Sequence, residues 1–419
     1  MTRLAIVGSG IAGLGLAYYL RNQFEITIFE KNDRLGGHTN TISVSEGDQQ
    51  IPIDTGFMVF NHVTYPNLVK LFSELEVPMK KTDMSFSVQH LAQKLEFSGA
   101  SFERLFGDRR NLLNLKYWKM LLQIDRFNKE ATQALEDPEV AGMSMREYVK
   151  SRNYGNDFLN NYLVPMSSAL WSTPPQKIIE FPVISLLRFF HNHGLLGVDT
   201  QHQWWTVDGG SVEYLKRLRN KLTAITRVAK GVQQVKRGMR YVSVTTNDGA
   251  TTPFDLVAFA CHADEALSIL ADPSDKERLL LSAFSYQQND TLLHTDESVM
   301  PKERRCWSSW NVRLENERSS THYWMNSLQG VSQTTDYFVS LNAGHIIDPA
   351  KVKTYISYQH PVFDLGALRA QRVLPELNLQ SPRKQVFFCG SYFGYGFHED
   401  ALTSSLNLAS VLQEAAICR

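Results

Sequence analysis

Cysteine is scarce in this sequence. Its 419 residues contain only four, which are far apart and form no C-x-x-C pair: Cys261, Cys306, Cys389 and Cys418. This distribution offers no zinc or iron–sulfur ligand set and is typical of a reducing compartment. An H-x-H pair, His191 and His193, could ligate metal from one strand, but no third and fourth ligand cluster near it. We therefore predict no metal site.

Neither sign of charge predominates, and no long apolar run is present. Lysine and arginine together number 43, as do aspartate and glutamate, so no overall field attracts nucleic acid. No uninterrupted apolar segment is long enough to span a bilayer. Arg3 and the apolar residues after it superficially mimic a signal peptide, but the glycine spacing described below argues against a leader. We expect a cytoplasmic protein.

The sequence does have the apolar content of a packed globular protein. Hydrophobic residues make up 43% and aromatic residues 11% of the chain, which is not the composition of a disordered protein. Its length exceeds a single ordinary core and allows two intertwined domains.

A glycine-dense turn follows the first predicted strand. Leu4–Val7 has the apolar character of a buried parallel strand, and Gly8, Gly10 and Gly13 follow it at G-x-G-x-x-G spacing. The first glycine permits a tight turn, the second lets the backbone approach a pyrophosphate, and the third lets helix and strand pack closely. The helix that begins here points its free N–H groups at the phosphates.

An acidic residue completes this unit. A second predicted strand, Glu25–Glu30, ends twenty residues after Gly10. The Glu30 carboxylate would accept hydrogen bonds from the adenosine ribose hydroxyls and repel a 2′-phosphate. Glycines alone can simply serve a turn, but the strand, helix, second strand and acid together predict a dinucleotide site.

The next residues resemble a flavoprotein motif. The segment Arg34–Thr39 (RLGGHT) is similar to the R-x-G-G-R-x-x-T/S segment of the amine-oxidase-like FAD superfamily, which includes monoamine oxidase, protoporphyrinogen oxidase and phytoene desaturase. The resemblance implies that the dinucleotide is FAD and that Gly36 and Gly37 lie along its pyrophosphate and ribityl chain. His38 departs from the pattern, because an arginine is usual there. A solvent turn is the alternative for the glycine pair.

Two further segments resemble the flavin-contacting parts of that superfamily. A D-x-G segment such as Asp54–Gly56 brings backbone against the flavin ring in relatives, although an ordinary core strand with a turn is the alternative here. Near the C-terminus, Val386–Ala401 resembles a strand–loop–helix, F-A-G-[DE]…G-x-x-E-G-A, whose helix dipole stabilises the reduced flavin. Ser391 and Asp400 depart from that pattern.

Two weaker matches complete the cofactor prediction. Val228, at the start of a predicted strand 228–235, resembles a valine whose backbone meets the adenine. Cys261 lies next to the cofactor in relatives, although we favour a buried small residue. The cofactor-binding residues that these matches imply are Gly8, Gly10, Ile11, Ala12, Gly13, Glu30, Lys31, Arg34, Gly36, Gly37, His38, Thr39, Gly56, Phe57, Met58, Val228, Gly390, Ser391, Gly396, Phe397 and His398.

The aromatic middle of the chain is the candidate substrate region. Trp307, Trp310 and Trp324 fall on predicted strands and either belong to the core or wall a pocket for an apolar substrate. Amine oxidases usually place a lysine near flavin N5, but no motif fixes one here. Lys302 and His294 are competing candidates, so the catalytic side chain is unassigned.

A helical, amphipathic pattern extends from Phe102 to Leu135, with aromatic and basic residues interleaved. Such a helix can dock on anionic lipid. We favour a core-packed helix with a solvated charged face, because acids such as Asp108 and Asp125 dilute its basicity.

The motifs span the chain in the order found in the superfamily. The resemblance implies an α/β fold, with a Rossmann-like FAD-binding domain (three-layer ββα type, parallel sheet) intertwined with an α+β substrate domain. We expect residues 1–80, 204–290 and 375–419 in the first domain and residues 81–203 and 291–374 in the second.

Phrases such as DTGFMVFN and GSYFGYGFHEDAL resemble a bacterial branch of predicted NAD/FAD-binding oxidoreductases. Relatives of this branch occur beside, or fused to, cyclopropane-fatty-acid synthases. This implies an FAD-dependent oxidoreductase that takes a hydride from an apolar, fatty-acyl-like substrate. The alternatives are a flavin amine oxidase for small amines or polyamines and a non-catalytic FAD-binding partner of a lipid-modifying enzyme. Peripheral membrane contact and such an enzyme partner are compatible with either lipid-related role; a nucleic-acid partner is not expected.

Overall fold

The computed structural model describes residues 1–171, 173–197, 201–315, 318–379 and 385–417, so Cys418 lies outside the described residues. The strands are, in chain order, β1 (Thr2–Val7), β2 (Phe24–Phe29), β3 (Thr41–Glu46), β4 (Gln49–Asp54), β5 (Phe60–Asn61), β6 (Met79–Thr82), β7 (Phe86–His90), β8 (Leu95–Ser98), β9 (Trp204–Val207), β10 (Ile225–Arg227), β11 (Val232–Arg237), β12 (Val242–Thr246), β13 (Thr251–Phe254), β14 (Leu256–Phe259), β15 (Ser285–His294), β16 (Trp310–Glu315), β17 (Arg318–Trp324), β18 (Phe338–Leu341), β19 (Val352–Val362) and β20 (Val386–Phe388).

The α-helices of the described residues are α1 (Ile11–Leu20), α2 (Pro66–Glu74), α3 (Phe102–Leu105), α4 (Leu115–Ala134), α5 (Met145–Ser151), α6 (Asn156–Phe158), α7 (Val164–Leu170), α8 (Pro175–Ile178), α9 (Val183–Asn192), α10 (Val212–Asn220), α11 (Ala263–Ile269), α12 (Asp275–Leu281), α13 (Met325–Leu328), α14 (Leu365–Val373), α15 (Glu376–Leu379) and α16 (His398–Ile417).

The first structural unit is built around a parallel sheet that is covered on both faces. Its strand order is β10-β2-β1-β14-β20, and every neighbouring pair is parallel. Alternate residues of β1 face opposite sides, as the two-residue strand period requires. Leu4 and Ile6 pack with α1 and α16, whereas Ala5 and Val7 share a core with the antiparallel β11-β12-β13 sheet. This three-layer arrangement confirms the predicted α/β fold with a parallel sheet.

A seven-stranded sheet lies beyond this unit, in the order β19-β15-β18-β17-β16-β7-β8. The pair β16–β7 is parallel, and the other neighbouring pairs are antiparallel. Helices α4 to α9 share a core with this sheet through residues such as Phe127, Phe190 and Val312. The division of the chain into two domains stays a prediction.

Two local expectations were wrong, and a third, the helix over 102–135, was right only in part. The predicted strand 228–235 is interrupted, because Ala229 adopts a φ of +54° between β10 and β11. The pattern 102–135 forms two α-helices separated by a 3₁₀ turn, Arg109–Leu113. His191 and His193 lie at the end of α9 rather than on a strand.

Candidate active site

A cavity of about 1740 Å³ lies between the parallel sheet and the seven-stranded sheet. At one end its wall contains residues that follow four parallel strands: Gly8 after β1, Glu30 after β2, Ala260 after β14 and Gly390 after β20. Open α/β sheets bind ligands at these carboxyl ends. We call this end the cofactor half.

The glycines of the turn after β1 have different roles: some allow close packing, and one leaves open space at the cavity. A Cβ at Gly13 would lie 2.0 Å from the Gly8 carbonyl oxygen, so this residue is needed for close packing and does not line the cavity. Gly8 has a φ of +106°, which favours glycine. Gly10 is different: a Cβ there would meet nothing within 4 Å, and the residue borders the cavity at the start of α1.

Glu30 lies beside this turn and holds it in place. Its carboxylate accepts hydrogen bonds from Ser9 Oγ at 2.6 Å and from the Ser9 backbone N–H at 3.1 Å. It also accepts from the backbone and side-chain N–H groups of Asn32, at 2.9 and 2.8 Å. Ser9 and Asn32 also line the cavity, and sequence reasoning missed both of them.

The second glycine pair packs against the first turn. A Cβ at Gly37 would lie 3.2 Å from the Gly10 Cα, and the Gly36 backbone N–H donates to the Ser9 carbonyl at 3.0 Å. Both glycines have positive φ, +111° and +59°. The structure therefore brings the two glycine segments, which are about 25 residues apart in the sequence, to one place. Arg34 donates to the carbonyl of Thr39 at 3.3 Å.

His38 borders the cavity where relatives carry an arginine. Its ring stacks on Tyr358 of β19, with centroids 4.9 Å apart, and its Nε2 has no hydrogen-bond partner among the described residues. Burial, reinforced by nearby His360, holds the pKa of His38 well below its usual range. The ring is therefore neutral at pH 7 and offers a hydrogen bond, not a charge, to a ligand.

Gly56, Phe57 and Met58 also line the cavity. A Cβ at Gly56 would lie 2.2 Å from the His38 carbonyl oxygen, so the chain can pass there only without a side chain. The Phe57 ring stacks on His398 at the start of α16, with centroids 3.9 Å apart. These segments from opposite ends of the chain thus form one wall.

The C-terminal loop places Gly390, Ser391, Gly396, Phe397 and His398 on the cavity wall, directly before and at the start of α16. Burial lowers the pKa of His398 to about 3. A neutral imidazole leaves the helix dipole as the positive feature at this wall.

Asp400 explains one departure from the superfamily pattern. It lies in the first turn of α16, and its carboxylate accepts from the Phe397 backbone N–H at 2.9 Å. This is a helix-capping bond, and the side chain does not line the cavity. Burial raises the pKa of Asp400 to about 7.

Two predicted contact residues lie away from the cavity. Thr39 is buried and its Oγ1 lies 3.2 Å from His398 Nε2. Val228 is 41% exposed, and the half-buried Val232 lines the cavity instead. Together with Gly13, these are the predicted cofactor residues that do not line the cavity; all the others do. Contact of each residue with FAD stays a prediction.

At its other end the cavity continues as a space that we call the chamber half. Its wall is formed by apolar and aromatic side chains from α4, α7, α9, β8 and β16 and from Trp171, which directly follows α7; among the others are Phe97, Leu121, Met166, Phe189 and Trp310. Strand β19 contributes Tyr358 and His360 to the cofactor half, where their ring centroids lie 4.9 and 5.2 Å from that of His38. No motif in the sequence indicated these two residues.

The three tryptophans of the middle region divide between the two expected roles. Trp310, in β16, lines the cavity. Trp307 and Trp324 pack edge to face in a separate core cluster, with centroids 5.3 Å apart. Trp307 precedes β16 rather than lying on a strand.

None of the candidate catalytic side chains is both free and inside the cavity. His294 is buried away from the cavity and hydrogen-bonds Ser340 Oγ at 2.7 Å, while Lys302 is exposed outside it. Cys261 does line the cavity, but burial raises the pKa of its thiol well above the usual value. One lysine is found among the described residues that line the cavity: Lys31, which forms an ion pair with Glu265.

Two features are absent from the described residues. No group of three or more His, Cys, Asp or Glu residues within them could hold a metal ion. None of the helices in the same ranges is both long and apolar enough to cross a membrane.

The cofactor half fits FAD. The space in front of Gly10 is open, α1 directs its first N–H groups towards that space, and the unpartnered Nε2 of His38 faces the same cavity. These are the features that bind a pyrophosphate. The glycine packing elsewhere in the half keeps side chains out of the path of the cofactor.

The sequence matches the family described as flavin containing amine oxidoreductase over residues 11–335. It is 38% identical over 76 residues to a 15-cis-phytoene desaturase from Synechococcus elongatus, which covers 18% of this chain and 15% of that protein. It is 28% identical over 145 residues to a 1-hydroxycarotenoid 3,4-desaturase from a Flavobacterium species, which covers 32% of this chain and 28% of that protein. The matched stretches thus span less than a third of either relative.

Solved structures match over nearly the whole chain. Wild-type putrescine oxidase bound to putrescine superposes with a TM-score of 0.71 at 15% identity, covering 100% of this chain and 99% of that one. A CLA-producing fatty acid isomerase from P. acnes gives 0.66 at 14% identity, covering 98% of each chain. At these identities the likeness shows the fold alone.

These findings confirm the resemblance read from the glycine motifs and the identity of the cofactor. The family match covers most of the chain. The chain belongs to the flavin containing amine oxidoreductases and is an FAD-dependent oxidoreductase of that family.

Proposed function

We propose that the protein takes a hydride from a C–H bond of an apolar, fatty-acyl-like substrate. The observation that carries this proposal is the chamber half, an aromatic and apolar space continuous with the cofactor half. FAD supplies the redox chemistry when bound, since its oxidised ring accepts a hydride. The protein's own contribution is to bind the substrate, orient it and exclude water.

The distribution of charge supports an uncharged chain in the chamber half. Of the charged side chains on the described cavity wall, five lie near the glycine turns: Glu30, Lys31, Asp33, Arg34 and Glu265. The other two, Asp83 and Asp125, are exposed rather than enclosed. An ammonium group enclosed without a partner is costly, whereas an apolar chain gains from burial.

Unpartnered donors support an acyl group in particular. The indole Nε1 atoms of Trp171 and Trp310 are buried and have no hydrogen-bond partner among the described residues, and both residues line the cavity. An indole N–H is a donor only, so it suits a carbonyl or carboxylate oxygen and not an ammonium group. The Thr291 hydroxyl, also unpartnered and on the wall, can serve the same group.

Oxidation of a small amine or polyamine is the second candidate. It is favoured by the family match and by the putrescine held in the solved relative. In this chain the stacked rings of Phe189 and Phe397, with centroids 5.2 Å apart on the cavity wall, offer aromatic faces to a cation.

The deciding experiment is an anaerobic titration of the FAD-loaded protein with fatty acids, acyl thioesters and amines. The quantity measured is the decrease in the absorbance of the oxidised flavin. We expect bleaching by acyl compounds. Bleaching by amines alone would favour the second candidate. Absence of bleaching by any compound, with co-purification of a lipid-modifying enzyme, would favour a non-catalytic partner role.

A matched pair of variants locates the substrate. Met166 is buried on the chamber wall, whereas Met239 is fully exposed elsewhere. We expect Met166→Asp to abolish bleaching by acyl compounds while FAD stays bound, and Met239→Asp to behave as the wild type. Equal activity of the two variants would contradict a substrate in the chamber half.

A further inference from the structure

Exposed apolar side chains are concentrated around the start of α4. Leu113 and Leu115 are 91% and 84% exposed, and their neighbours in this turn are also exposed. We call the set the apolar face; its members are Phe102, Leu112, Leu113, Leu115, Trp118 and Leu122. Elsewhere in the described chain, large exposed apolar residues occur singly, as Leu279 does, or two close together, as Met239 and Tyr241 do. Such scattered residues are normal for a protein surface.

The apolar face is an ordered structure. Asn114 caps α4 by accepting from the backbone N–H groups of Lys116 and Tyr117, at 3.1 and 3.2 Å. Trp118 donates its indole N–H to the Leu112 carbonyl at 3.0 Å, which ties the helix to the 3₁₀ turn before it. These bonds hold the leucines outward although no described residue covers them.

The two sides of α4 have different roles. Tyr117, Met120 and Phe127 are buried against the core. Leu115, Trp118 and Leu122 follow one another at helical spacing on the exposed side. The apolar face is therefore a second apolar stripe that the fold itself does not use.

Basic residues surround the apolar face. Residues 102–122 contain five basic and two acidic side chains, although the whole chain has no net charge. One of the acids, Asp108, is buried and paired with Arg110. Lys116 and Lys119 are exposed and form no ion pair with any described residue. An apolar face that is surrounded by basic residues is complementary to an anionic lipid surface.

The cavity reaches the surface beside this face. Leu121 and Ile124 of α4 line the chamber half. Asp125, with a side chain that is 61% exposed, and the exposed Ala100, just before α3, line the same cavity. A surface that covered the apolar face would therefore lie next to an opening of the chamber.

We propose that the apolar face docks on an anionic lipid bilayer, with its leucines among the acyl chains and its lysines at the headgroups. The docked protein would receive an apolar substrate directly from the lipid. That last step rests on the proposed function, whereas docking itself does not depend on any activity.

The test is co-sedimentation of the FAD-loaded protein with vesicles of phosphatidylcholine, with and without phosphatidylglycerol. We expect binding to the mixed vesicles that weakens with added salt and is much weaker to phosphatidylcholine alone. The double variant Leu113→Glu/Leu115→Glu should lower the fraction bound by at least about tenfold, because both residues would lose burial in lipid.

The control is Leu279→Glu, the same change at an isolated leucine that is 71% exposed. It should bind as the wild type does, and FAD content should be unchanged in all variants. Absence of wild-type binding at low salt, or equal loss in the control, would overturn the proposal. Concentration-dependent dimerisation that the double variant abolishes would instead make a second copy the occupant.

Failure of docking can be distinguished from failure of the proposed function. Oxidation of a short, water-soluble acyl compound without vesicle binding would overturn docking and leave the proposed function intact. Vesicle binding without flavin reduction by any acyl compound would support docking and overturn the proposed function.

Discussion

The two halves of the cavity are built from different parts of the polypeptide. In the cofactor half the wall is largely backbone, because glycines such as Gly8, Gly37 and Gly56 remove side chains where segments meet. In the chamber half the wall consists of large side chains, such as Trp171 and Trp310. A backbone wall presents fixed N–H groups to one cofactor, whereas a side-chain wall takes its shape from each residue in it.

The difference predicts where a single methyl group matters most. In the cofactor half, a Cβ at several glycines would meet backbone atoms that cannot move aside. In the chamber half, side chains can adjust around a modest change in volume. Substitutions that separate packing from ligand contact therefore test the comparison most strongly.

The largest effect is expected for Gly13→Val. Its Cβ would lie 2.0 Å from the Gly8 carbonyl oxygen, between β1 and α1. We expect a loss of at least about 3 kcal/mol in the free energy of unfolding, or failure to fold, because the strand and helix must separate. Denaturant unfolding of the FAD-free protein measures this loss.

Gly10→Val is the matched variant three residues away. A Cβ there has open space around it, so the free energy of unfolding of the FAD-free protein should change little. The valine would occupy the space at the start of α1, and FAD affinity should fall by about a hundredfold or more, as titration would measure. Unfolding by this variant and not by Gly13→Val would reverse the two assigned roles.

Buried histidines of the seven-stranded sheet and its helices give a second contrast. Burial lowers the pKa of His193 and of His294 to about 4, and it holds the pKa of His322 well below the usual value. Below about pH 6.5 the unfolded chain gains protons at these residues that the folded chain does not accept. The stability that they contribute is present above pH 6.5 and is lost as the pH falls towards 4.

Thermal unfolding of the FAD-free protein across this range is the measurement. Each histidine should steepen the dependence by up to about 1.4 kcal/mol per pH unit. His294→Gln should flatten the curve, and the same change at exposed His191 should not. A curve that His294→Gln leaves unchanged would show that this residue is not buried in its neutral form.

Asp400, which lies behind the wall of the cofactor half, affects stability with the opposite dependence on pH. Burial raises the pKa of Asp400 to about 7, above the value near 3.8 of the unfolded chain. The folded protein therefore loses stability as the pH rises from about 4 to 7, where the buried carboxyl must ionise. Asp400→Asn keeps an acceptor for the Phe397 N–H without the charge.

We expect the melting temperature of Asp400→Asn, relative to the wild type, to rise between about pH 5 and pH 8. The comparison is made on FAD-free protein, so that cofactor binding does not contribute. A difference that is constant with pH would place the carboxyl in contact with water rather than in the first turn of a buried helix end.

The contrast between the halves also decides what the sequence alone could predict. The glycine turn, its helix and Glu30 lie within 30 consecutive residues, so spacing was sufficient to recognise them. Tyr358 reaches the cofactor half through a hydrogen bond from Asn40 at 2.9 Å, across 318 residues of sequence. No local pattern encodes such a contact, because it depends on how β19 is placed by the rest of its sheet.

Local conformation was the other limit on prediction. Periodicity correctly indicated helix in 102–135, but the cap at Asn114 and the turn before it put leucines outward that the pattern assigned to an ordinary amphipathic helix. In the same way, β-branched residues suggested a strand through 228–235. The left-handed conformation at Ala229 is not visible in residue type, because alanine rarely adopts it.

The smallest effect is expected for the valines on either side of the interruption at Ala229, at the far end of the cofactor half. Val228 is exposed before the break, and Val232 lines the cavity after it. We expect Val232→Ala to weaken FAD binding severalfold, by less than about tenfold, since two methyl groups are lost from the wall. Val228→Ala should bind FAD as the wild type does. If the two effects were reversed, the valine that meets the cofactor would be Val228, and the interruption at Ala229 would not separate the two roles.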